Sequence, residues 1–136
     1  FIKSLIPVID YAEEHNTDLV IETISRYELP FYNTIAEMTR LIKRINRSNV
    51  KVHIDTFHMN LEELNVYESV AGIGELLGHV HMADNTRLIP GSGTFAFKEL
   101  KKALDHVGFS SMSMECFNPG FGQDNIIKGL HYIKSL

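Results

Sequence analysis

The sequence predicts an α/β fold built from parallel βα units, and three observations carry that prediction. Apolar segments of strand length alternate with segments of helical period along the chain. Each strand-like segment ends in an acid or a histidine. No linker or low-complexity stretch separates the units, so residues 1–136 read as a single partial domain.

The elements follow in order. Ile2, Leu5, Ile6, Ile9 and Ala12 recur at helical spacing and predict a helix that fades at Glu14–Asn16. DLVIET, residues 18–23, is a first strand ending in Glu22. Beyond a loop with Pro30, the pattern Ile35, Met38, Leu41, Ile42 and Ile45 predicts a second helix, with Asn33 as its expected N-cap. KVHID, residues 51–55, is the second strand. Asn60 is the expected cap of a helix over Leu61–Leu77, weakened by Gly72 and Gly74. GHVHMAD, residues 78–84, is the third strand. The loop NTRLIPGSG leads to a helix with Phe97, Leu100, Leu104 and Val107 inward and Gly108 as its terminating glycine. SMSMECF, residues 111–117, is the fourth strand. A Gly/Pro loop and a last helix through Ile126, Ile127, Leu130 and Ile133 complete the pattern.

The order is α-(βα)₄. Strands alternating with helices imply a parallel sheet. Four βα units are half of a (β/α)₈ TIM barrel, which needs about 250 residues. The competing doubly wound sheet carries a phosphate loop after its first strand. Here that position reads TISRYELP, without glycine. PGSGTF follows the third strand, where a lone Gly-rich loop carries little weight. The chain opens FIKSLIPVID, with no Met and inside an amphipathic pattern, so we read it as a fragment whose other half-barrel lies elsewhere.

Composition excludes some classes. The formal charge of −4 offers no basic footprint for nucleic acid. A single cysteine, Cys116, rules out an internal disulfide framework and fits a reducing, cytoplasmic setting. No apolar run approaches a membrane span, and no signal peptide is visible.

The chemistry lies at the strand ends. Glu22, Asp55, His81 and Glu115 fall one per βα unit. Barrel active sites gather at the carboxyl ends of several strands. Parity gives the four a common direction: Glu22 shares a face with Val20, Asp55 with His53, His81 with His79, and Glu115 with Ser113. The opposite faces carry Leu19 and Ile21, Val52 and Ile54, Val80 and Met82, Met112 and Met114. The polar face therefore points into the barrel and the apolar face onto the helices. Three carboxylates and one imidazole suit Mn²⁺, Mg²⁺ or Co²⁺ better than zinc. Without a cation the three charges repel and one takes up a proton. Taken singly, each residue reads equally well as a capped or solvated strand end. His53 and His79, one layer deeper, suit core or supporting roles.

IETISRYE, HIDTFHMNLEE, GHVHMADNTRLIPGSG and MECF resemble the second half of the D-tagatose 3-epimerase and D-psicose (allulose) 3-epimerase family, which belongs to the xylose isomerase-like barrels. The resemblance runs over nearly the whole chain. It implies a metal-dependent sugar isomerase, with Glu22, Asp55, His81 and Glu115 as metal ligands and Mn²⁺ foremost among the ions. It also implies that Glu22 and Glu115 flank C3 of a ketose as paired acid and base, with a metal-stabilised enediolate between the two proton transfers. His58 in DTFHMN and Arg87 in NTR match residues that bind the oxygens near C1 and C2, and Glu28 in SRYE matches a residue beside them. Family members associate as dimers or tetramers, so a homo-oligomer is implied too. The chain departs from the family pattern at Ala83-Asp84, where that family has Gly-Glu, and at Thr94-Phe95 after PGSG. These departures bear on substrate specificity.

Other functions share the scaffold. Another xylose isomerase-like enzyme, performing a 1,2-shift, could use the same carboxylate pair. An apurinic-site endonuclease also has Asp-Thr-x-His after a strand, but the loop after His81 has no Asp or His beyond Asp84. A half-barrel that folds without catalysing anything is the remaining reading, and the fragment by itself is expected to be inactive.

Overall fold

A computed structural model describes residues 1–117 and 122–136. The expected Gly/Pro loop after the fourth strand falls largely outside them. The elements run α1 (Ile2–Glu14), β1 (Leu19–Glu22), α2 (Ile35–Ile45), β2 (Val50–Asp55), α3 (Thr56–Glu62), α4 (Val66–Ala71), a short 3₁₀ turn (Gly74–Leu76), β3 (Leu77–Met82), α5 (Phe97–Val107), β4 (Met112–Met114) and α6 (Gln123–Lys134). The strands form one parallel sheet in the order β1-β2-β3-β4. Consecutive strands are thus neighbours, as in a barrel wall and unlike a doubly wound sheet, whose order reverses.

The two faces divide as parity predicts. Val52, Ile54, Val80 and Met82 are buried in one apolar core with Ile35, Met38, Leu41 and Ile42 of α2 and Phe97, Leu100 and Leu104 of α5. Leu19, Ile21 and Met112 pack against its margin. The helical spacing of α2 and α5 supplies the matching stripes. Gly108 ends α5 at φ +69°, a left-handed position that favours glycine.

Three helix boundaries differ from expectation. Thr34 caps α2, its side chain accepting from Glu37 N–H while the Glu37 carboxylate accepts from Thr34 N–H. Asn33 instead donates its amide to the Ile24 and Leu29 carbonyls, pinning the loop after β1. Asn60 lies inside α3 and caps nothing; Asp55 caps α3, and Asn65 caps α4. The single expected helix over Leu61–Leu77 is therefore two short helices. The break falls at Glu63, which turns extended and spends its carboxylate on Ile35 N–H at 2.7 Å and the Ser69 hydroxyl at 2.6 Å. Ile35 lies outside the segment, in α2, so the periodicity of residues 61–77 could not reveal that contact.

Candidate functional site

The ligand atoms of Glu22, Asp55, His81 and Glu115 lie within 4.8 Å of one another at the carboxyl ends of the strands. Their register is staggered rather than level. Glu22 pairs with His53, Asp55 pairs with His81, and His81 pairs with Ser113, so Glu115 stands two residues beyond the His81 rung. Strands in a barrel tilt and stagger, and the twist of the sheet closes this diagonal into a cluster.

Each side chain is placed by its local structure. Asp55 is fully buried at the end of β2 and also starts α3. One oxygen, Oδ1, accepts from Phe57 N–H at 2.7 Å and His58 N–H at 3.4 Å. The other, Oδ2, is buried without a hydrogen-bond partner among the described residues, as are Glu22 Oε1 and His81 Nδ1. His81 Nδ1 faces Glu115 Oε2 at 3.2 Å, but outside hydrogen-bond alignment. Unpaired buried polar atoms are costly, so three of them aimed at one point call for a cation. The electrostatics agree. Burial, then the charges of Asp55 and Glu115, push Glu22 up to about 7 against the pull of Arg87. Burial raises Asp55 to about 6, offset in part by the two backbone donors. The donor set fits a hard or borderline divalent ion.

His58, Arg87 and Glu28 border this cluster. The Ser25 N–H donates to His58 Nδ1 at 3.2 Å, which leaves the proton of the neutral ring on Nε2. Burial first lowers the pKa of His58, favouring that neutral form. Its Nε2 stands 3.9 Å from Glu28. Arg87 pairs with Glu28 at 3.2 Å and stands 3.9 Å from Glu115. Its guanidinium lies over the rings of Phe57 and Phe117, at 4.9 and 5.5 Å from their centroids. The seven site residues picked out in the sequence thus form one contiguous patch.

Other residues that shape the patch carry no periodic signal in the sequence. Asp84 is buried, and its carboxylate accepts from the N–H groups of Asn85, Gly91 and Phe95 at 2.9, 2.9 and 3.0 Å. It folds the loop on which Arg87 sits at φ +58°. A Cβ on Gly93 would collide with Asp84 and Asn85, so PGSG owes that glycine to close packing. Glu62 receives Arg26 side-chain N–H groups at 2.6–3.1 Å and the Arg26 backbone N–H at 2.7 Å, tying the loop that carries Glu28 to α3. A buried acid holding backbone N–H groups has no periodic signature. The glycine-rich loop beside Asp84 was the one available hint.

This fold and patch define a barrel with a polyvalent anionic site at the strand ends. A model of the Xylose isomerase-like TIM barrel matches residues 1–136, and the chain belongs to that family. It is 36% identical over 111 residues to D-psicose 3-epimerase of Agrobacterium fabrum, covering 81% of this chain and 38% of that protein. It is 39% identical over 93 residues to 3-dehydro-D-guloside 4-epimerase of Escherichia coli, covering 68% of this chain and 36% of that protein. The crystal structure of 3-keto-D-glucoside 4-epimerase from E. coli superposes with a TM-score of 0.92 at 29% identity, over 99% of this chain and 52% of that one. The chain thus spans well under half the length of these curated relatives and about half of the solved structure. No helix among the described residues is long and apolar enough to cross a membrane.

Proposed function

We propose that this chain is the carboxyl-terminal half of a sugar epimerase that acts on a ketose at C3. We read residues 1–136 as one partial domain that supplies the metal ligands and both acid/base groups, with further substrate contacts coming from the other half. The observation that carries the reading is the convergence of Glu22 and Glu115 from opposite edges of the sheet onto one point, with Asp55 and His81 between them. Proton removal from one face of a carbon and return on the other needs two groups on different elements.

The roles follow from position. Glu22, Asp55, His81 and Glu115 would hold the cation, with Mn²⁺ foremost and Mg²⁺ or Co²⁺ as alternatives. When bound, that ion polarises the carbonyl beside the reacting carbon and offsets the charge that develops there. One of Glu22 and Glu115 takes the C3 proton, and the electron pair left behind delocalises into the C2 carbonyl. The other carboxyl group delivers a proton to the opposite face. His58, with its proton on Nε2, donates to a substrate oxygen near C1 or C2. Arg87 does the same, held in place by Phe57, Phe117 and Glu28. The setting we propose is the cytoplasm, with no nucleic-acid partner.

The test is proton exchange in D₂O. The complete protein, with both halves of the barrel, should introduce deuterium at C3 of a ketohexose, and Glu22→Gln or Glu115→Gln should stop it. Undiminished exchange in both variants sinks the mechanism.

One observation favours a second reading. Where the 3-epimerase pattern has Gly-Glu this chain has Ala83-Asp84, and its similarity extends to sugar 4-epimerases. Proton transfer at C4, beside a C3 ketone, needs the same carboxylate pair. Deuterium entering C4 of a 3-keto glycoside, and not C3 of a ketohexose, decides for it.

A further inference from the structure

The polar face of the sheet holds a second cluster one layer below the carboxylates. His53 and His79 are register partners on β2 and β3, and His81 lies two residues further along β3. One ring nitrogen from each lies within 4.8 Å of the other two. The ring centroids are 4.1 Å apart for His53 and His81, 5.2 Å for His53 and His79, and 5.1 Å for His79 and His81. His53 is only 6% exposed, and its Nε2 is buried with no hydrogen-bond partner among the described residues. A histidine kept for packing alone is ordinarily hydrogen-bonded when buried. His79 meets that norm, with Nε2 2.9 Å from Ser113 Oγ, and His53 does not.

We propose that His53, His79 and His81 form an inner, all-imidazole site for a borderline divalent ion such as Ni²⁺ or Zn²⁺. The site overlaps the oxygen-rich one above it at His81 alone. Donor type separates the two: carboxylates suit Mn²⁺ and Mg²⁺, whereas imidazoles suit nickel, zinc and copper. Ligand bonds of about 2.0–2.1 Å set tetrahedral nitrogens about 3.4 Å apart. Reaching that spacing from the present one requires the side chains to rotate, with His79 releasing Ser113. His81 belongs to both clusters. A neutral imidazole has one free lone pair, so His81 serves one ion at a time. An inner ion therefore displaces an outer one without touching a carboxylate. That exclusivity rests on reading the outer cluster as a metal site; the inner site does not.

Metal-stripped protein is titrated with Ni²⁺ and with Mn²⁺, counting bound metal and following the visible absorption of nickel. In the double variant Glu22→Gln/Asp55→Asn, Mn²⁺ binding should weaken at least about tenfold while Ni²⁺ binding stays within about threefold. His53→Gln and His79→Ala should each weaken Ni²⁺ at least about tenfold and leave Mn²⁺ within about threefold, which also shows that the fold is intact. Should His53→Gln fail to fold, the less buried His79→Ala decides. Nickel lost with the carboxylates, or retained in the histidine variants, overturns the inner site. Both ions bound at once to the unaltered protein overturns the exclusivity. Nickel bound as expected with no Mn²⁺ binding anywhere leaves the inner site standing and removes the outer one.

Discussion

Strand β2 buries both its faces, and the two are finished in opposite senses. Val50, Val52 and Ile54 are fully buried against apolar neighbours and leave nothing unpaired. His53 and Asp55, on the other face, are nearly as buried, yet each keeps a polar atom with no partner among the described residues. Neighbouring strands extend the contrast, with Val80 and Met82 on one side and His81 on the other. The apolar face is complete as it stands, because dispersion and burial need only shape. The polar face, on the function proposed above, is completed by a cation, because buried charges need a counter-charge. Stability therefore resides on one face, and the function proposed above draws on the other.

The sharpest way to break this contrast is to remove a carboxylate. Glu22→Gln should cost about 10²–10⁴-fold in proton exchange. Thermal stability without metal should hold or rise, since a repelling charge is lost. A large fall in melting temperature would show the polar face to be structural after all. The reciprocal change is Ile54→Ala, which should cost about 2–5 kcal/mol in denaturant unfolding. Metal affinity of the folded fraction should be unchanged; a matching loss of affinity would erase the distinction between the faces.

Asp84 tests the border between the two. Asp84→Ala strips the partner from three loop N–H groups, and about 1–3 kcal/mol of stability should go with it. By loosening Arg87 it should raise KM more than it lowers kcat, with Asp84→Glu recovering part of both. Equal effects on the two constants would remove Arg87 positioning from the account. The smallest effect is on pH dependence. Glu22 and Asp55 have folded-state pKa values raised to about 7 and about 6, so the native state holds protons that the unfolded chain has released. Metal-free stability should then fall as pH rises from about 4 through about 7. Melting curves across that range check the sign, and saturating Mn²⁺ should flatten the slope.

The strand ends were the legible part of this protein. Period-2 alternation put Glu22, Asp55, His81 and Glu115 on one face, and the βα order put that face in a barrel. His58, Arg87 and Glu28 became legible through the motifs around them. Illegible were the residues whose partners are distant in sequence. Ser25 fixes the His58 ring from 33 residues away, and Glu62 meets Arg26 across 36. The helix break at Glu63 belongs here too, because its partner Ile35 is in α2.

By itself, then, the sequence determined the class of fold, the direction of the strand side chains, and the residue types offered to a ligand. Tertiary structure alone decided the diagonal stagger of the four ligands, the free Oδ2 of Asp55, the tautomer of His58 and the pairing of His53 with His79. Those depend on register and on contacts between segments, and local periodicity does not encode the distance between strands.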